Sequence, residues 1–192
     1  ETIDFGPCAF LEAYDPATVF SSIDTHGRYA YANQAPIAQW NLARLAETLL
    51  AFLDENREEA IRIATARVEA FPDVYTRHWL AGFRKKIGLL SAEDGDLDLI
   101  QALLDAMQLA RADFTVTFRA LSNGQEPDGL ADWLPNWRAR LARDPQTAEE
   151  RQPLMRSVNP AYIPRNHLVE EMISAAVAAA HGVAIDVPLI VA

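Results

Sequence analysis

From Pro36 to Ala180, apolar side chains return every three or four positions, a spacing that buries one face of a helix and does not suit a strand. Ala38, Leu42, Leu45, Leu49 and Phe52 form the first such stripe, expected to be buried, with Gln39, Asn41 and Glu47 mostly off it. Ile61, Ala64, Val68 and Phe71 form the second, with Glu58 and Arg62 spaced for a surface ion pair and Pro72 expected to stop the helix. Thr76, Trp79, Leu80, Phe83 and Ile87 make the third; Arg84, Lys85 and Lys86 fall in its last turn with Gly88 beyond, which suits a helix C-terminus. Leu97, Ile100, Leu104 and Met107 carry another. Phe114, Phe118 and Leu121 fit a further helix, although Phe114, Val116 and Phe118 also alternate as a strand would. Leu130, Trp133, Leu134, Trp137 and Leu141 give an aromatic-rich stripe with Arg138, Arg140 and Arg143 off it, and Asp144-Pro145 opens a short helix toward Met155. Val169, Met172, Ile173, Ala176, Val177 and Ala180 build the last helix, ended by Gly182. The expectation is an all-α domain of about seven to nine helices, with Trp79, Trp133 and Trp137 largely buried.

The first 35 residues lack that periodicity. Asp15-Pro16 marks a turn or helix start, Ser21, Ser22 and Asp24 suggest loop, and Gly27 punctuates it. Residues 1–35 are therefore expected to be an irregular segment, 36–182 a helical domain, and 183–192 an extended apolar tail in which Pro188 excludes a central strand position. Glu1 rather than Met opens the chain inside what reads as a strand and turn, so a fragment is expected.

Charge narrows the chemistry. Seventeen basic against 27 acidic side chains leave a formal net charge of −10, which disfavours non-specific adhesion to nucleic acid. Trp and Arg together between Leu130 and Arg143 could stack on bases, but their helical spacing and the acidic total favour a core face. No apolar run reaches the roughly 18 residues of a spanning helix, so no membrane partner is expected. The single cysteine, Cys8, has no partner for an intrachain disulfide and reads as a small buried residue; this fits a reducing compartment, and a cytoplasmic location is expected.

Candidate sites are few. Thr2-Ile3-Asp4-Phe5-Gly6-Pro7 reads as the end of a buried strand turning sharply with one carboxylate at the turn; Asp4 would either cap that turn or hold the metal ion that bridges nucleotide phosphates. Asp94-Gly95-Asp96-Leu97-Asp98 resembles the opening of a calcium loop, but Leu99 and Asp105 stand where Gly and Glu are required. Ser91 to Asp98 therefore reads as a solvated connection with acids at a helix N-terminus. His78, His167 and His181 are not spaced for a metal site, whereas His26 opens His26-Gly27-Arg28-Tyr29, where it could touch a ligand or order the loop.

Read in order, Asp4-Phe5-Gly6-Pro7, Phe10-Leu11-Glu12-Ala13-Tyr14-Asp15-Pro16, His26 to Gln34 and Gln39 to Ala46 resemble the selenoprotein O (YdiU) family. Phe83 to Leu89, Asp113-Phe114-Thr115 with Phe118 to Ser122, and Met155 to Pro160 leading to Arg165-Asn166 agree. The resemblance spans about residues 2–182. It implies the helical C-terminal lobe of a protein-kinase-like (pseudokinase) fold and the transfer of AMP from ATP to protein hydroxyls, with ATP and protein substrates as partners. It also implies Mg²⁺ or Mn²⁺ with the nucleotide, Asp4 as metal and nucleotide ligand, and an activation-segment-like loop after it. The catalytic base, the glycine-rich loop and most phosphate contacts are expected upstream of Glu1, so the chain by itself is expected to be inactive. The competing expectation is a non-catalytic helical module that docks partner proteins.

Overall fold

The computed structural model describes residues 10–180. Within them the chain forms an irregular loop, a single 3-10 turn at Tyr31–Asn33, and eight α-helices: α1 (Gln34–Leu53), α2 (Arg57–Glu69), α3 (Phe71–Lys86), α4 (Asp96–Ala110), α5 (Phe114–Ser122), α6 (Leu134–Leu141), α7 (Ala148–Val158) and α8 (Asn166–Ala180). No sheet forms among the described residues; one antiparallel bridge pairs Ala13 with Asp113, through Tyr14 N–H to Ala112 O at 2.9 Å and Phe114 N–H to Glu12 O at 2.7 Å. The all-α expectation stands, and α5 resolves the Phe114–Phe118 ambiguity in favour of helix because Asp113 caps it, accepting from Val116 N–H.

Caps explain the other boundaries. Asn56 accepts from the N–H groups of Glu58 and Glu59 at the start of α2, and Thr147 with Glu150 forms a reciprocal capping box on α7. Pro72 does not stop α2, which already ends at Glu69; it sits in the first turn of α3, where its missing N–H costs nothing. Arg62 pairs with Glu59, three residues away on the same face, and not with Glu58.

The core gathers Phe83 and Ile87 of α3, Ile100, Leu103, Leu104 and Met107 of α4, Phe118 and Leu121 of α5, Trp133, Leu134 and Trp137 around α6, and Met155 of α7. Trp133 and Trp137 stack with centroids 5.4 Å apart, and each indole N–H is satisfied by a carbonyl, Leu99 O and Ile87 O respectively, both at 2.8 Å. Of the three tryptophans expected to be largely buried, Trp133 and Trp137 lie in the core, and Trp79 is partly buried, packed on Phe83 at the edge of this cluster. Gly88 closes α3 at φ 78°, and a Cβ there would lie 2.6 Å from Arg151 Cδ and 2.7 Å from Met155 Sδ; only glycine lets α7 approach so closely.

Two stripes read as core are not. On α1, Leu45 is 52% and Phe52 85% exposed and only Ile37 is buried, while on α8 Met172, Ile173 and Val177 are exposed. Periodicity identifies a helix and its apolar face, but burial also needs an element opposite that face. Here α1 meets α2 through another side, where Gln39 Nε2 donates to Val68 O at 3.1 Å. Leu97 and Ile61 are exposed as well.

Ser91 to Asp98 is not a solvated connection. Asp96 is 1% exposed and accepts from Arg84 Nε at 2.6 Å, Arg140 Nε at 2.7 Å and Glu93 N–H at 2.9 Å. Arg140, expected off the core face, is correspondingly buried; Ser91 O accepts from its Nη2, and Glu93 and Asp144 lie beside its guanidinium. Burial by itself would push the Asp96 carboxyl up, but the hydrogen bonds from Arg140, the Glu93 N–H and Arg84 outweigh it and hold the group below the usual aspartate value.

Candidate functional site

The irregular segment is a fixed wall. Asp15 O and Oδ1 accept from Thr18 and Ala17 N–H, and Asp24 takes the N–H groups of Arg28 and Tyr29 on its two oxygens, at 2.8 Å each. Gly27 makes the turn at φ 65°, its carbonyl accepts from Asn33 Nδ2, and Tyr31 N–H and Ala32 N–H return to Thr18 O and Pro16 O. Tyr14, Tyr31 and Phe114 then meet with centroids 5.7 to 6.3 Å apart, which fastens the loop to α5.

Beneath this loop lies an open cavity of about 1070 Å³. The loop contributes Phe20, Ile23, Asp24, His26, Arg28 and Tyr29; α5 contributes Phe114, Thr115 and Phe118; Lys86 comes from the end of α3, and Pro160 and Ile163 from the connection after α7. His26 Nδ1 lies 3.0 Å from Thr25 Oγ1, so it both lines the cavity and bonds within the loop. The Arg28 guanidinium rests over Trp40, 4.5 Å from the ring centre.

The floor is organised by Asn159, which is fully buried. Its Oδ1 accepts from Lys86 Nζ at 2.9 Å, its Nδ2 donates to Lys86 O at 2.8 Å and Ser122 Oγ at 3.0 Å, and its carbonyl accepts from Arg119 Nη1. Arg165 reaches back to the α5 cap, Asp113, at 2.7 Å. Lys86 Nζ sits 4.7 Å from the centre of Phe118 and 5.4 Å from that of Phe114. The blocks that contain Lys86, Asp113 to Ser122, Asn159 and Arg165 are separate in the chain and meet at this one place. Lys86 and Asn159 are the residues that sequence reasoning missed. The signal for Lys86, a basic triplet before a glycine, is the same one that marks any stable helix end, and its partner is 73 positions away.

Burial pulls the Lys86 ammonium from its usual 10.5 to about 8. The unfolded chain then binds more protons between these two values, so Lys86 lowers stability below pH 8, and that penalty disappears as pH rises from about 8 to 10.5. Melting temperatures of wild type and Lys86→Met should therefore differ by an amount that changes across this window, with wild type gaining on the variant. Parallel curves would show that Lys86 keeps an ordinary ammonium. Asp24, His26 and Arg28 face the same cavity, and being common to both proteins they cancel in the comparison.

Asp4 and Cys8 lie outside the described residues, as do Gly182, His181 and the tail at 183–192. Among the described residues no three His, Cys, Asp or Glu side chains gather into a metal cage. No helix among them is long and apolar enough to cross a membrane.

A helical lobe whose N-terminal loop is pinned over an aromatic cavity is the class of structure these contacts define. A sequence model of the family described as Protein adenylyltransferase SelO matches residues 1–183, and the chain belongs to that family. It is 59% identical over 191 residues to the protein nucleotidyltransferase YdiU of Rhizobium johnstonii, covering 92% of this chain and 38% of that protein. The relative of the same description from Rhizobium meliloti is 55% identical over 190 residues, covering 92% and 39%, and that from Shouchella clausii 54% over 184 residues, covering 92% and 38%. The chain thus spans under two fifths of the length of the curated relatives it matches.

Proposed function

We propose that this chain is the acceptor-side lobe of a protein adenylyltransferase, an enzyme that moves AMP from ATP to a hydroxyl of another protein. The observation that carries the reading is the convergence of separate family blocks on one cavity beneath the loop that follows Asp4: Lys86, Phe114, Thr115, Phe118 and Pro160 line it, and Asn159 and the Asp113–Arg165 pair tie these blocks together behind it. In the reaction a hydroxyl oxygen of the acceptor bonds to the α-phosphorus of ATP and the bond to the β-phosphate oxygen breaks. Pyrophosphate leaves, and the hydroxyl proton passes to a base that is expected upstream of Glu1. Asp4 would hold Mg²⁺ or Mn²⁺, which supplies charge neutralisation at the phosphates. Residues 10–180 do the positioning: the pinned loop and the aromatic wall of α5 receive the acceptor polypeptide and hold it in register.

Most phosphate-contacting groups are expected outside this chain, so the polypeptide of 192 residues should bind ATP weakly or not at all. Calorimetry with Mg²⁺ or Mn²⁺ present tests this, and micromolar affinity would contradict it. A second reading has its own support: the exposed apolar faces of α1 and α8 suit a helical module that docks other polypeptides. Transfer of labelled AMP by a full-length YdiU relative carrying this chain in place of its matching segment separates the two. The docking module predicts no label on any acceptor.

A further inference from the structure

The cavity floor carries a cation that no carboxylate of the described residues answers. Arg84 and Arg140, also at least partly buried, each meet Asp96, and Arg140 has Glu93 and Asp144 beside it. Lys86, by contrast, has only the Asn159 amide oxygen and the faces of Phe114 and Phe118, with no acidic group of the described residues within ion-pairing distance. An ammonium has three donors and Asn159 takes one. Asp24, the acid that shares the cavity, has both oxygens on backbone N–H groups.

We propose that Lys86 is a specificity-determining residue that receives a single carboxylate, an Asp or Glu side chain of the acceptor polypeptide, while the aromatic walls take its apolar neighbours. This deepens the adenylyltransferase reading and rests on it. Charge balance selects the ligand. Lys86 and Arg28 against Asp24 leave the cavity one positive charge, in a chain of net charge −10, which suits one negative charge and does not suit a polyphosphate. Desolvation agrees, since an ammonium held among aromatic rings regains stability when a carboxylate approaches. The selected acceptors are hydroxyl-bearing segments with an acid next to aromatic or aliphatic residues.

The test presents the chain with two pools of short, terminally blocked peptides, each with a fixed serine and randomised apolar flanks, identical except that one carries Glu and the other Gln beside the serine. Wild type should retain the Glu pool about tenfold better than the Gln pool, the size of a charge-assisted hydrogen bond in a partly desolvated site. Lys86→Met, which keeps the aliphatic stem, should lose that preference, and Lys86→Arg should recover most of it. Equal retention of the pools by wild type, or retention of neither, overturns the proposal. So does a preference that survives in Lys86→Met, which would make Lys86 a structural partner of Asn159 alone. The wild-type ratio decides the matter even if Lys86→Met fails to fold. Glu preference without AMP transfer in the full-length chimera would remove the enzymatic reading and leave the carboxylate site; transfer without Glu preference would do the reverse.

Discussion

Asp96→Ala should destabilise the chain by about 3–5 kcal/mol, the usual cost of leaving a buried cation without its partner. Its carboxylate joins three elements: Arg84 at the end of α3, the Glu93 N–H of the connection, and Arg140 of α6. Removing it leaves the buried Arg140 with the Ser91 carbonyl and, as carboxylates, only the more distant Glu93 and Asp144. The same change in an Arg140→Met background should cost about 1–3 kcal/mol less, because the stranded charge is gone. Equal costs in the two backgrounds would show that the pair is not coupled. The acid side follows from linkage. Asp96 is held below its ordinary value of 3.8, so its contribution is complete above that pH and is lost as pH falls through the lower folded value. The gap between wild type and Asp96→Ala should therefore narrow only below about pH 3.8.

The second large effect is expected on activity. In a full-length YdiU relative carrying this chain, Asp4→Ala should lower AMP transfer about a hundredfold or more, roughly 3 kcal/mol of lost electrostatic stabilisation, while leaving the melting temperature nearly unchanged. If Asp4 only caps the turn that the sequence predicts, stability should fall by ~1 kcal/mol and transfer should stay normal. Melting and transfer measured on the same variant distinguish the two, and a normal rate with lowered melting removes the metal-ligand assignment.

Local signals carried much of the fold. The stripes of α3, α4 and α6, the acids in the first turn of α4 and Gly88 after Lys86 depend on neighbours within a few residues, and apart from Thr76 and Leu97, which are exposed, they are where periodicity and capping rules put them. What periodicity could not supply is the partner across space. Asp96 and Arg140 read as surface charges because nothing local reveals that they will meet 44 positions apart. The α1 and α8 stripes read as core because an apolar face looks the same whether or not another element covers it. The same gap explains the site: His26 and the loop were legible from turn chemistry, whereas the floor built by Lys86, Asn159 and Ser122 exists only once three separate helices or their ends are packed.

The reading of this chain as part of an AMP-transferring enzyme is tested most directly by supplying the full-length chimera with ATP labelled at either the α- or the γ-phosphate, together with protein acceptors. Label from the α-phosphate should become covalently attached to protein, and label from the γ-phosphate should not. Attachment of the γ-label would make the chain part of a kinase, and attachment of neither would leave a docking module; either result contradicts the account.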